Sequence, residues 1–142
     1  ISSAAGVYTT VLTGTITPSS TSSHILIFVN LCFSQDDARY SNAKLYRDST
    51  QVGLGDTSST RTRTMFSSNS DGDANSQYTA ISSSSAFKDS PGSVSAIDYT
   101  VRVGSVNAPS SNKLMINTSG ANDDGSYTMA GISQLTLMEV KG

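Results

Sequence analysis

The sequence predicts an all-β domain built as a two-sheet sandwich or a barrel of eight to ten strands. Three observations carry this. Apolar residues fall in short, regularly spaced runs separated by Ser, Thr, Gly and Pro. No segment repeats apolar residues at i, i+3, i+4 and i+7 over a useful length, so no substantial helix is expected. The longest apolar run, residues 24–33, is β-branched and aromatic and holds no Gly or Pro. As a strand it places Ile25, Ile27, Val29, Leu31 and Phe33 on one face and Leu26, Phe28, Asn30 and Cys32 on the other. Both faces are apolar, so both need cover. An opposite sheet supplies one cover; an overlying segment or another subunit supplies the second.

The remaining elements follow in order. Residues 6–17 read as one Thr-rich strand broken near Gly14, or as two short ones. Residues 18–23, Pro-Ser-Ser-Thr-Ser-Ser, read as a turn. After the 24–33 strand and a polar loop over 34–40, residues 42–47 alternate Ala43, Leu45 and Arg47 against Lys44 and Tyr46. A three-residue turn over 48–50 then returns the chain around Val52. Residues 60–66 alternate as a strand with Arg61, Arg63 and Met65 on one face, and 67–76 form the longest polar loop. A Ser-rich strand is expected over 77–86, a Pro-Gly turn over 87–92, and a strand over 93–104 with Ile97, Tyr99, Val101 and Val103 on one face. A short strand over 113–117, a turn over 120–125 and a final strand over 127–140, bent at Gly131, complete the chain.

At 142 residues, a single domain over 1–142 is the expectation. The net charge is −2 and only 14% of residues are charged, which builds no basic field for nucleic acid or anionic lipid. No apolar run nears the length of a membrane-spanning helix. The chain starts at Ile1 rather than Met, which reads as a processed chain or a piece of a longer one. The single Cys, Cys32, excludes an internal disulfide and reads as a buried thiol.

Catalytic constellations are scarce. The one His, His24, opens a strand, no Gly-x-Ser-x-Gly elbow is present, and one Cys with one His does not make a structural zinc site. The one Glu, Glu139, lies in the terminal strand and reads as structural. Asp71, Asp73 and Asn75 open like a calcium loop, but Ser76 and Ser82 stand where an EF-hand needs Gly and Glu. That segment reads first as a solvated loop, with a calcium site of another kind as the alternative and no other cofactor expected. Two acidic pairs, Asp36 with Asp37 and Asp123 with Asp124, are separated by six expected strands. An even number of antiparallel passes returns the chain to the same end of a sandwich. The pairs would then meet there with Arg39, Tyr40 and Tyr127, a set suited to a hard cation or to sugar rings and hydroxyls, against the alternative of two unrelated turns. Arg61 and Arg63 would pair across a subunit axis or with Asp98, or lie on a solvated face.

Several stretches, taken together, look like one family. They are residues 16–27 (Ile-Thr-Pro-Ser-Ser-Thr-Ser-Ser-His-Ile-Leu-Ile), residues 44–53 (Lys-Leu-Tyr-Arg-Asp-Ser-Thr-Gln-Val-Gly), Gly55-Asp56, residues 89–91 with 99–103, and residues 133–140. This set resembles a module common in predicted virion and tail-fibre proteins of tailed phages, notably marine ones, with His24 at a position where that module carries Lys. The module is similar in layout to the jelly roll of tumour necrosis factor and of complement-type globular heads. The resemblance implies a compact antiparallel jelly roll, a homotrimer, often the C-terminal head of a fibre, on the external surface of a virion. It implies no ligand by itself.

The resulting expectation is a non-enzymatic virion module: a trimeric head of a tail fibre or appendage that attaches to a host-surface glycan or protein through end loops. Leu26, Phe28, Asn30, Arg61 and Arg63 are its subunit-interface candidates. Asp36, Asp37, Arg39, Tyr40, Asp123, Asp124 and Tyr127 are its ligand candidates. The rivals are a capsid-decoration or fibre-assembly protein without ligand, a carbohydrate-binding module of an enzyme, and an enzyme in its own right.

Overall fold

A computed structural model describes residues 5–35, 40–69, 80–106, 113–119 and 128–142. Its strands are β1 (Tyr8–Ile16), β2 (His24–Gln35), β3 (Tyr40–Arg47), β4 (Thr50–Val52), β5 (Phe66–Asn69), β6 (Ile81–Asp89), β7 (Ile97–Ser105), β8 (Leu114–Ile116) and β9 (Gln134–Val140). No helix occurs among the described residues. All named pairings are antiparallel, in two sheets: β1-β7-β3 with β4 and β5 beside β3, and β6-β2 with β8 and β9 beside β2. The fold is the expected all-β, two-sheet antiparallel sandwich, and the chain crosses repeatedly from one sheet to the other in a jelly-roll-like wrap.

Two of the edges share a construction. β4 pairs with Leu45–Arg47 and β5 with Tyr40–Ala43, both antiparallel to β3, so they run in one direction as a single interrupted strand. β8 and β9 do the same along β2, pairing with Phe33–Gln35 and His24–Asn30. The 53–65 excursion therefore leaves the sandwich from the middle of an edge rather than from an end, and the described residues after β8 and before β9, 117–119 and 128–133, likewise sit at the middle of the β2 edge. Interrupted edges of this kind also present little continuous ladder to another chain.

The core follows the period-2 patterning. Ile25, Ile27, Val29, Leu31 and Phe33 of β2 face Ala43 and Leu45 of β3 and Ile97, Tyr99, Val101 and Val103 of β7, with Leu114 closing one end. Each fully buried Ile, Leu or Val contributes about 1.5–3 kcal/mol. Leu12 and Ile16 of β1 and Leu135 and Leu137 of β9 close one side. Gly14 sits where β1 crosses β9: a Cβ there would stand 3.1 Å from Leu137 Cδ1 and 3.3 Å from Leu135 Cδ2. Gly14 therefore permits close approach of the sheets and does not break the strand. The irregularity in β1 lies instead between Thr10 and Leu12.

Other boundaries shift for identifiable reasons. The 48–50 turn has two residues, because Arg47 pairs with Thr50; Asp48 takes φ 52°. Asp48 is also bonded to β7, its N donating to Asp98 O and its Oδ1 accepting from Asp98 N. β6 extends into the expected 87–92 turn as far as Asp89, because Phe87 and Asp89 pair with Ile27 and Ile25 and point inward. The expected 60–66 strand is the largest correction. Residues 54–65 form no ladder, and the strand there is Phe66–Asn69. Thr and Arg alternate, so neither face has an apolar set to bury and no register is selected. Local bonds hold the segment: Arg61 N donates to Ser58 O, Arg63 Nε to Gly55 O at 2.7 Å, and Gln51 Nε2 to Arg63 O. The final strand begins at Gln134 rather than at 127, so Gly131 precedes it.

The turn over 18–23 is fastened to the last strand. Ser19 donates to Glu139 Oε1 from both its N and its Oγ at 2.7 Å, and Ser22 Oγ donates to the Gly142 carbonyl. These groups hold the Glu139 carboxyl below its ordinary range: the nearby Ser23 hydroxyl, which completes no hydrogen bond in this geometry, then the Ser19 hydroxyl and N–H. A depressed carboxyl contributes stability above its unfolded value near pH ~4.3, and that stability is lost as pH falls through the folded value. The expected outcome is a shallower acid limb in thermal melts of Glu139→Gln than of the native protein, with the curves parallel above pH ~5. Identical acid limbs would contradict the latch.

Candidate functional site

The chain offers three places with chemistry to examine. The first is a buried polar clasp between the sheets. Arg47 Nη1 donates to both carboxylate oxygens of Asp89 at 3.0 and 2.9 Å, and Tyr99 Oη donates to Asp89 Oδ2 at 2.6 Å. Arg47 and Tyr99 belong to the first sheet and Asp89 to the second. Burial, and then the bond to Asp89, push the Tyr99 phenol well above its ordinary value. Tyr99 is wholly buried, so no solute reaches it, and the three groups satisfy one another. This cluster ties β3, β6 and β7 together and is structural.

The second place is the outward face of the second sheet. Alternation and register put Leu26, Phe28, Asn30 and Cys32 of β2 there, between Lys88, Ala86 and Ser84 of β6 and Met138, Thr136 and Gln134 of β9. Cover differs along this face. Cys32 is buried, because the segment just before β9 lies over it: a Cβ on Gly131 would stand 2.3 Å from Cys32 Sγ. Its backbone is served in the gap between β8 and β9, where Asn117 N donates to Cys32 O and Cys32 N donates to Ser133 Oγ. Leu26 and Asn30 are half-buried, and Phe28 is 43% exposed. Asn30 is tethered sideways, accepting from Ser84 Oγ at 3.1 Å. Small neighbours, Ala86 on one side and Thr136 on the other, leave a groove of about 420 Å³ along the Phe28 ring. The described residues thus give the second face of β2 a cover at Cys32 and none over Phe28.

The opposite outer face of the sandwich is finished differently. Lys44 stacks on the Tyr8 ring at 3.9 Å and Arg102 on the Tyr46 ring at 4.0 Å. Tyr8 Oη donates to Asn42 Oδ1, and Thr15 Oγ1 donates to Asp98 Oδ1 at 2.6 Å. Asp98 is therefore paired with Thr15 and the Asp48 turn, and not with Arg61 or Arg63.

The third place is a groove of about 340 Å³ between the start of β3 and the 53–65 excursion. β3 contributes Tyr40, Ser41 and Asn42; the excursion contributes Arg61, Thr62 and Thr64. Ser67 and Val106 complete its described lining. Tyr40 is 53% exposed, while its backbone is fixed: its carbonyl accepts from Ser105 Oγ at 3.1 Å and from Val106 N. The floor is a polar end of the core, where Ser41 Oγ donates to Gln35 Oε1. Arg61 and Tyr40 come from two separate sequence expectations, and the fold brings them to one groove. Asn42, Thr62, Thr64 and Ser67 carried no sequence signal, because Ser and Thr are spread over the entire chain.

Asp36, Asp37, Arg39, Asp71, Asp73, Asn75, Asp123, Asp124 and Tyr127 lie outside the described residues. The expected meeting of the two acidic pairs therefore also lies outside the described residues. The premise that each intervening strand reverses the chain is not met, since β4 and β5 run in the same direction along β3. Among the described residues no three His, Cys, Asp or Glu side chains come together as metal ligands. His24 bonds Ser90 Oγ through Nδ1 at 2.8 Å. No model of a known protein family matches the chain, and no curated protein matches it significantly.

Proposed function

We propose that the chain is a non-enzymatic virion module, the self-associating head of a phage tail fibre or related appendage, which attaches to a host-surface glycan. The observation that carries the assembly half of this reading is the Phe28 face. Phe28, Met138 and Val140 are exposed there beside Leu26, whereas the opposite outer face is covered by cation–π pairs and hydrogen bonds. Patches of this kind mark interaction surfaces. The occupant proposed is a second copy of the chain. Lys88 is the one ionised side chain at the outward positions of β2, β6 and β9, so like faces meet with little repulsion. The Phe28 ring stands beside a hollow over Ser84 and Ala86 that accepts a ring or thioether from the neighbour. The attachment half draws on the resemblance and on the Tyr40–Arg61 groove. The Ser19–Glu139 latch fits this picture, since it ties together the first and last of the stretches that carry the resemblance.

Light scattering tests the assembly. The expected mass is that of a homotrimer, and Phe28→Lys is expected to give a single chain with an unchanged far-UV spectrum. A single-chain mass for the native protein at micromolar concentration would sink the assembly. Binding of labelled native protein to permissive host cells tests attachment, and absence of binding by the assembled protein counts against it.

A further inference from the structure

We infer that the groove between β3 and the 53–65 excursion binds an acidic saccharide unit, with Arg61 holding its carboxylate and Tyr40 its ring face. The inference rests on the attachment reading and names the ligand class of that surface.

Three properties of the groove converge on this class. Tyr40 presents a half-exposed aromatic ring from the first residue of a strand whose backbone is bonded to β7 and the residue after it. A ring held on a rigid element offers flat apolar area at small entropic cost, which suits the C–H face of a pyranose. Among the described residues Arg61 is the one charged side chain lining the groove, and its guanidinium takes no partner there. A free planar fork matches a carboxylate with two parallel hydrogen bonds. Around these lie hydroxyls of Thr62, Thr64 and Ser67 and the amide of Asn42, whose orientation is set by the bond from Tyr8. Such short donor–acceptor groups suit sugar hydroxyls. A volume of about 340 Å³ falls within the range of small-ligand clefts. One Arg on a chain of net charge −2 does not supply the field that a nucleic-acid backbone needs, which separates this ligand from a polyphosphate.

The groove also explains why the Arg/Thr segment departs from the strand expected there. Pulled off the ladder by the Ser58–Arg61 turn and the Arg63–Gly55 bond, it stands away from β3 and leaves the cleft open.

The test uses the full chain in its associated state. Calorimetric titration with tetragalacturonate is compared with the uncharged tetragalactose of equal length, at low and moderate salt. The native protein is expected to bind the acidic probe about tenfold more tightly, the scale of one charge-assisted contact, with the preference shrinking as salt rises. Arg61→Gln is expected to abolish the preference, Tyr40→Ala to weaken both probes, and Tyr40→Phe to bind like the native protein. Equal binding of the two probes, or a preference that survives Arg61→Gln, overturns the inference. Host-cell binding that survives both Arg61→Gln and Tyr40→Ala overturns the groove while the attachment reading stands. Absence of cell binding by the native protein overturns the attachment reading itself.

Discussion

Replacing Asp89 with Ala is expected to lower stability by about 3 kcal/mol, or roughly 10 °C in melting temperature for a chain of this size. Asp89 is 7% exposed and accepts from two partners on the other sheet. Its removal strands the Tyr99 hydroxyl, which is wholly buried, without an acceptor. It also strands the Arg47 guanidinium, although Arg47 is 28% exposed, so water recovers part of that loss. Asp89→Asn keeps an acceptor for Tyr99 and is expected to cost about half as much. A melting temperature for Asp89→Ala within about 2 °C of the native value would show that the clasp contributes nothing net. The same cluster sets an alkaline limit. The Tyr99 phenol is raised in the folded state, so its contribution is complete below the unfolded value near pH ~10 and is lost as pH rises beyond it. Tyr99→Phe is expected to reduce stability at neutral pH and to flatten that alkaline limb.

Gly131→Ala is expected to cost about 1–3 kcal/mol. The added Cβ would stand 2.3 Å from Cys32 Sγ and 3.0 Å from Cys32 Cβ. The backbone cannot easily withdraw, because Gly131 N donates to Asn117 O at 2.8 Å, and Asn117 in turn accepts from Ser133 Oγ at 2.6 Å. Cys32→Ala alone removes one small buried group, for about 1 kcal/mol. The double variant is expected to be more stable than the sum of the two single changes by about 1–2 kcal/mol, since Ala at position 32 vacates the space that the new methyl needs. Denaturant melts of the four proteins measure this directly. Strict additivity would mean that Gly131 does not pack on Cys32. The result also bears on assembly, because this contact ends the uncovered strip that begins at Leu26.

The core and the strand faces were legible along the chain because burial on a sheet has a period of two. Ile25 to Phe33 and Ile97 to Val103 show that period and are buried as expected. Residues 60–66 also alternate, yet Arg and Thr gain nothing by facing inward, so local hydrogen bonds decide that segment. The parity argument for the acidic pairs, which lie outside the described residues, assumed that every strand between them reverses the chain. β4 and β5 do not; they share one edge of β3. Tyr40, a ligand candidate, and Arg61, a subunit-interface candidate, belong to one groove. Nothing in their spacing announced it, since the excursion is positioned by its bonds to Gly55, Ser58 and Gln51.

By itself, then, the sequence determined the all-β class, the inward residues of the long strands and the apolar character of both faces of β2. Each follows from local alternation and transfer free energy, which neighbours in the chain already express. Tertiary structure alone decided which part of that second face is covered. Cys32 is buried because Gly131, almost one hundred residues later, returns with no side chain to keep it away. Phe28, four residues earlier on the same strand, is left open because its flanking partners on β6 and β9 are Ala86 and Thr136, too small to shield a ring. Cover is a property of what packs across a strand, and those partners come from distant parts of the chain.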